Sequence, residues 1–221
     1  VSAGALDRLQ GGAPSARRPT LPEIAIDIID GQALIEAPFG ALSAQFAGAG
    51  VLGRDFAAEA RIAETSLQNG AYALEAGAAE LSLTTREGAL SARLTANAGA
   101  LRWDGFALDN AGLRIIANAP MDLARGEIEA AWRVGRMQSP TLEAQTFAGV
   151  ISAQAEMRED ALAPQSWRAQ GGAGAARAAY AENTISAPRF EIRAEGGEYE
   201  GRGDWRFESG RFAGFSLIAE R

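Results

Sequence analysis

The sequence predicts an all-β fold, an elongated antiparallel meander of roughly ten to thirteen short strands. Three observations carry this. Apolar and polar residues alternate in short runs along most of the chain, the period of a strand with one wetted face. Gly, Asn, Asp or Pro separate the runs, as tight turns demand. Large apolar side chains are scarce: hydrophobic residues make up 47% of the 221, but more than a fifth of the chain is alanine, and Leu, Ile, Val and Phe together number 45. That is close to the level at which a compact core becomes hard to build, so an extended or shallow-cored architecture is expected.

Taken in order, Val1 to Leu21 contains GGAPSARRP and reads as a linker, with the β segment running from Pro22 to Arg221. Leu42, Ala44 and Phe46 then oppose Ser43 and Gln45. The stretch Asp55 to Leu81 is rich in Ala and Glu, good helix formers, and Phe56, Ala60, Ile62, Ala63 and Leu67 would also serve as a helical face. Yet Phe56, Ala58, Ala60 and Ile62 alternate with Ala57, Glu59 and Arg61, and Gly70 and Gly77 punctuate the run, so strands are the preferred reading. Leu81 and Leu83 oppose Ser82 and Thr84; Leu90, Ala92 and Leu94 oppose Ser91, Arg93 and Thr95; Leu113 and Ile115 flank Arg114. Ile128, Ala130, Trp132 and Val134 oppose Glu127, Glu129 and Arg133, and Phe190 and Ile192 oppose Arg189, Glu191 and Arg193. Last, Tyr199, Gly201, Gly203, Trp205 and Phe207 share one parity while Glu200, Arg202, Asp204, Arg206 and Glu208 share the other.

Charge and composition exclude several functions. All 21 basic residues are arginine, 28 are acidic, and the net charge of −7 without a basic run argues against nucleic-acid binding. With no His, Cys or Lys the chain cannot build a Ser-His-Asp triad, a thiolate nucleophile, a Schiff base or a His/Cys zinc site. Carboxylate chemistry remains, at Asp27 and Asp30 or at Glu156, Glu159 and Asp160, but neither group has the ligand spacing of a calcium loop. No enzymatic activity, cofactor or metal is expected.

Two short motifs have plainer readings. Arg202-Gly203-Asp204 matches an adhesion tripeptide, which requires both charges at a loop tip; here they fall in the middle of a strand pattern. Gly48 to Gly53, GAGVLG, matches a dinucleotide fingerprint, but the parallel βαβ unit that gives it meaning is missing, and a bulge or turn role is expected.

The segment Leu21 to Ile62 carries an opening LP, a strand ending in the Asp30-Gly31 turn, IEAPFG at Ile35 to Gly40, a strand closing at a Gly-rich turn, and GRDF at Gly53 to Phe56. In these features it resembles a repeat of the bacterial YdbH family, part of the AsmA-like group that includes TamB. The resemblance implies an antiparallel sheet bent into a U-shaped apolar groove that carries phospholipid between inner and outer membranes. It also implies a place in the bacterial periplasm, with an inner-membrane anchor and further repeats outside this segment.

The apolar parity supplies the candidate groove-lining residues: Leu42, Phe46, Leu81, Leu83, Leu90, Leu94, Leu113, Ile115, Ile128, Trp132, Phe190, Ile192, Trp205 and Phe207. An Ala-rich inner face would leave such a trough open where Leu and Phe would fill it. Alternation is the same for an open groove and a closed core, so a β-solenoid or sandwich module that binds a partner through its charged face stands as the alternative.

Overall fold

In the computed structural model the described residues are 23–157, 164–180, 183–196 and 198–209, with side chains described over 23–157, 165–180 and 183–196. The expected linker, Val1 to Leu21, lies outside them. The described residues contain twelve strands and no helix. In chain order these are β1 (Ala25–Ala37), β2 (Gly40–Val51), β3 (Ala57–Asn69), β4 (Tyr72–Arg86), β5 (Ala89–Trp103) and β6 (Phe106–Pro120). The second half continues with β7 (Arg125–Gln138), β8 (Leu142–Met157), β9 (Pro164–Gly174), β10 (Arg177–Tyr180), β11 (Asn183–Glu195) and β12 (Glu198–Ser209).

Each strand pairs antiparallel with the next, except that β9 and β10 do not pair with each other, giving one sheet with β1 and β12 at its edges. β9 and β10 are two pieces of a single sheet position, both lying between β8 and β11. The meander therefore has eleven positions, about 50 Å across at the usual strand spacing. The stretch Asp55 to Leu81, where a helix was also conceivable, forms β3 and the first part of β4. Tertiary packing against neighbours on both sides overrides the helix preference of Ala and Glu.

The hairpin turns follow from their residues. Asp104 and Gly105 join β5 to β6 with φ of 41° and 81°, the two left-handed positions of a type I′ turn, whose twist matches that of the flanking strands. Glu87 and Gly88 repeat the geometry between β4 and β5. Between β7 and β8, Ser139 Oγ accepts from the Leu142 amide at 3.0 Å, tying a turn that contains Pro140.

One further feature shapes the sheet. Ala76, Asn110, Thr146 and Ala187 have left-handed backbones inside β4, β6, β8 and β11, with φ between 45° and 53°. The registers place them in one transverse row that reads Ala76, Gly99, Asn110, Gly135, Thr146, Ala176, Ala187, with a left-handed residue on every second position. A left-handed residue within a strand bends it and changes which face the next side chain takes. The apolar parity accordingly switches across the row. On β6 it passes from Ile115, Leu113 and Ala111 to Leu108, and on β8 from Ile151 and Phe147 to Ala144; β5 and β7, which carry Gly99 and Gly135 in the row, change parity with them. Each long strand is thus two arms that share one apolar face.

Every pair of strands in contact is a pair of sheet neighbours, and no second layer covers the sheet among the described residues. Apart from Gly77 and Pro188, only Ala44, Phe56, Leu74, Ala100, Val134 and Ala144 are buried apolar residues there.

Candidate functional site

The registers assemble the apolar side chains into continuous rows. The longest reads Gly31, Phe46, Ala60, Leu81, Leu94, Ile115, Ala130, Ile151, Gly171, Ile192, Gly201, one residue from each of the eleven positions and none of them polar. On one side of it runs Ala44, Ile62, Ala79, Ala96, Leu113, Trp132, Gly149, Ala173, Phe190. On the other runs Ala58, Leu83, Ala92, Ala117, Ile128, Ala153, Ala169, Ala194. Residues that pair directly across antiparallel strands project to the same face, so these rows form one apolar surface.

Twelve of the fourteen expected lining residues have described side chains, and all twelve belong to this face. Ten lie in the three rows; Leu42 pairs with Ile35, and Leu90 pairs with Ala119 on one side and Thr85 on the other. Trp205 and Phe207 lie on β12, where only the backbone is described; Phe207 is in register with Ile185. The face is uncovered: Leu81 is 43% exposed, Leu113 36%, Ile128 50% and Ile192 47%. Leucine and isoleucine in a closed core fall far below these values.

At the transverse row the two arms frame a cavity of about 560 Å³, within the roughly 300–1,000 Å³ range of small-ligand sites. It is lined by the small residues Gly77, Ala79, Ala96, Ala111 and Gly112 and by Phe39, Trp103, Trp132 and Phe147 with Leu74, Leu101, Leu108, Leu113 and Met137. Trp132 and Phe147 make a tilted contact with ring centroids 6.3 Å apart, and Trp103 stacks on Phe106 at 5.4 Å. A second apolar hollow of about 290 Å³ lies toward the other end of the strands, between Leu90, Ala117, Ile128, Met157 and Trp167.

Sequence reading missed the outer arm: Leu74, Leu101, Leu108 and Met137 form a further apolar row whose parity contradicts that of the inner arm. Gly99, Asn110 and Gly135 were the available signal, since Gly and Asn tolerate left-handed geometry and punctuate these three strands at matching depth.

The opposite face is polar. One of its rows reads Glu59, Ser82, Arg93, Ile116, Glu129, Ser152, Gln170, Arg193. Arg61 faces Glu80 across β3 and β4 at 3.6 Å; Arg168 Nε donates to Gln154 Oε1 at 2.9 Å, and Gln154 Nε2 donates to Glu127 Oε1 at 3.3 Å. These pairs occupy one another's polar atoms on a solvated surface. Among the described residues no group of three or more His, Cys, Asp or Glu could hold a metal ion. Of the carboxylates weighed from sequence, Glu159 and Asp160 lie outside the described residues.

Both short motifs are strand and turn. Arg202, Gly203 and Asp204 sit inside β12, paired through the backbone with Glu191, Phe190 and Arg189 of β11. Gly48 to Gly53 spans the end of β2 and the following turn, and an antiparallel strand follows it. A Cβ at Gly48 would lie 2.8 Å from that of Ala58, so this glycine permits a close strand approach.

No protein-family model matches the chain, and neither a curated protein nor a solved structure matches it.

Proposed function

We propose that the apolar face is a lipid-binding trough and that this chain is one stretch of a path along which phospholipid acyl chains move, shielded from water. The observation that carries the reading is the eleven-position row from Gly31 to Gly201, apolar throughout and uncovered. A partly exposed apolar surface of this extent, with no second layer over it among the described residues, is costly in water and marks an interaction site. Its shape suits an elongated ligand better than a compact one: the hydrocarbon core of a bilayer is about 30 Å thick, so one acyl chain spans about 15 Å. The row is long enough for several such chains end to end. Burying an acyl chain is worth about 0.8 kcal/mol per methylene, on the order of 12 kcal/mol for a fifteen-methylene chain, which an unbroken apolar path keeps constant as the lipid advances. A polar residue in the row would create a barrier, and none is present.

The resemblance of Leu21 to Ile62 to YdbH-type repeats, in which the expected Asp30-Gly31 turn proves to be an irregularity inside β1, adds the wider setting: a bacterial periplasmic position, with an inner-membrane anchor and further repeats of the same protein extending the path. The polar face then meets water along the whole length. Catalysis has no part in this reading.

The test is photo-crosslinking in cells with the full-length protein. Probes at Leu113, Ile115, Ile128 and Trp132 are expected to capture phospholipid, and probes at Arg114, Glu129 and Arg133 little. Equal capture on both faces, or no lipid adduct at any position, overturns the proposal.

A further inference from the structure

Three large side chains on the apolar face lie down on glycines instead of standing into the trough. Phe46 covers Gly31, its direct partner on β1: a Cβ added there would come within 2.6 Å of the ring Cζ. Leu74 covers Gly77, where a Cβ would lie 2.5 Å from Leu74 Cδ2 and 2.6 Å from Cγ. Trp132 covers Gly149, its direct partner on β8, where a Cβ would meet Cζ2 of the indole and come within 2.7 Å of Cε2. Carbon atoms rest at about 3.5–4.0 Å, so the space each side chain occupies exists only because its neighbour has no side chain.

Resting on the lipid-trough reading above, we infer that Gly77 and Gly149 set the clearance of the trough: they are specificity-determining positions that keep Leu74 and Trp132 flat, so that an unbranched alkyl chain can pass. Both pairs line the central cavity, except that Gly149 itself lies beneath the indole. Trp132 stands in the row beside the unbroken one, between Leu113 and Gly149. A methyl group at position 149 lifts the indole off the sheet into the cavity mouth. One at position 77 drives Leu74 toward the facing arm. Gly31 and Phe46 repeat the device near the β1 edge, which sets it apart from a packing accident at a single site.

The glycines differ in what else a methyl group would strike. At Gly77 the three nearest atoms all belong to the Leu74 side chain, whereas at Gly149 the Gly172 carbonyl oxygen is also 2.8 Å away. Gly77→Ala therefore changes clearance with least disturbance of the sheet.

The experiment titrates the 221-residue chain with cis-parinaric acid, a linear fluorescent fatty acid, while circular dichroism follows the β signature. Wild type is expected to bind, and Gly77→Ala to bind at least fivefold more weakly with its β signature retained. Adding Leu74→Ala to Gly77→Ala returns affinity to within twofold of wild type, a rescue that a purely structural role for Gly77 does not produce. Gly149→Ala behaves likewise and is rescued by Trp132→Leu; if that variant does not fold, the Gly77 pair decides. A folded Gly77→Ala that binds as tightly as wild type, or a double variant that stays weak, overturns the inference while leaving the trough intact. A wild-type chain that binds no probe overturns the trough reading itself, and the clearance role with it.

Discussion

The Phe56 amide donates to Thr85 Oγ1 at 2.9 Å, and the Thr85 amide donates back to the Phe56 carbonyl at 2.8 Å. This reciprocal pair ties the entrance of β3 to the end of β4. Thr85 is the one buried polar side chain among the described residues, 2% exposed, and its hydroxyl is buried with its partner in hand. Thr85→Val keeps the volume but strands the Phe56 N–H, which costs about 1–3 kcal/mol. Urea denaturation of Thr85→Val is expected to show that loss, and Thr85→Ser, which keeps the acceptor, a smaller one.

Thr146 offers the opposite sign. It is a β-branched residue held at φ 52° in mid-strand, where a left-handed backbone costs a non-glycine residue about 1–2 kcal/mol. Its side chain is exposed, so little packing is lost on truncation. Thr146→Gly is expected to stabilise the protein by about 0.5–1 kcal/mol after the greater unfolded-state entropy of glycine is subtracted. A lower midpoint in denaturant would mean that the bend at this position is held by something other than local geometry.

Leu113 separates an open trough from a closed core. At 36% exposure a carboxylate placed there can reach water, so Leu113→Asp is expected to fold, with a normal β spectrum, and to lose lipid transfer. Val134, 7% exposed in the adjacent position of β7 and in register with Ala111, is the control. Val134→Asp buries an unpaired charge, at a cost of several kcal/mol, and is expected to compromise folding. Two variants that behave alike would remove the distinction.

The ion pairs of the outer arm should matter little. Arg102 Nη1 lies 2.7 Å from Asp109 Oδ1, and Arg136 Nη2 lies 3.1 Å from Glu143 Oε1, all four side chains being partly exposed. Such pairs contribute about 0–1 kcal/mol and are screened by salt. Asp109→Asn is expected to fall within that range in a thermal melt at low ionic strength and to approach wild type in 0.5 M salt.

Much of the sheet was legible because its polar face is so consistent: Arg114 between Leu113 and Ile115, or Glu129 between Ile128 and Ala130, leaves a strand only one way to turn. The limit of legibility falls at the transverse row. Leu94 and Leu101 are seven apart, so strict alternation puts them on opposite faces; the switch at the transverse row, where Gly99 lies beside the left-handed Asn110, returns Leu101 to the face of Leu94. Gly and Asn hint at such a bend, but Ala76, Thr146 and Ala187 do not, since neither Ala nor Thr favours the left-handed backbone that each adopts here. The lying-down side chains were equally hidden. Trp132 and Gly149 are seventeen residues apart, and only the register brings the indole over the bare backbone.

Among the described residues, contact restricted to neighbouring strands makes the sheet a one-dimensional chain of couplings, like a zipper without a slider. Its free energy is close to a sum of strand-pair terms, with no central core whose loss takes down the rest. Unfolding then has no reason to be all-or-none and should fray inward from the β1 and β12 edges. The same property makes length a free parameter: a hairpin added to or removed from the series lengthens or shortens the trough by about 10 Å and leaves the other interfaces as they were.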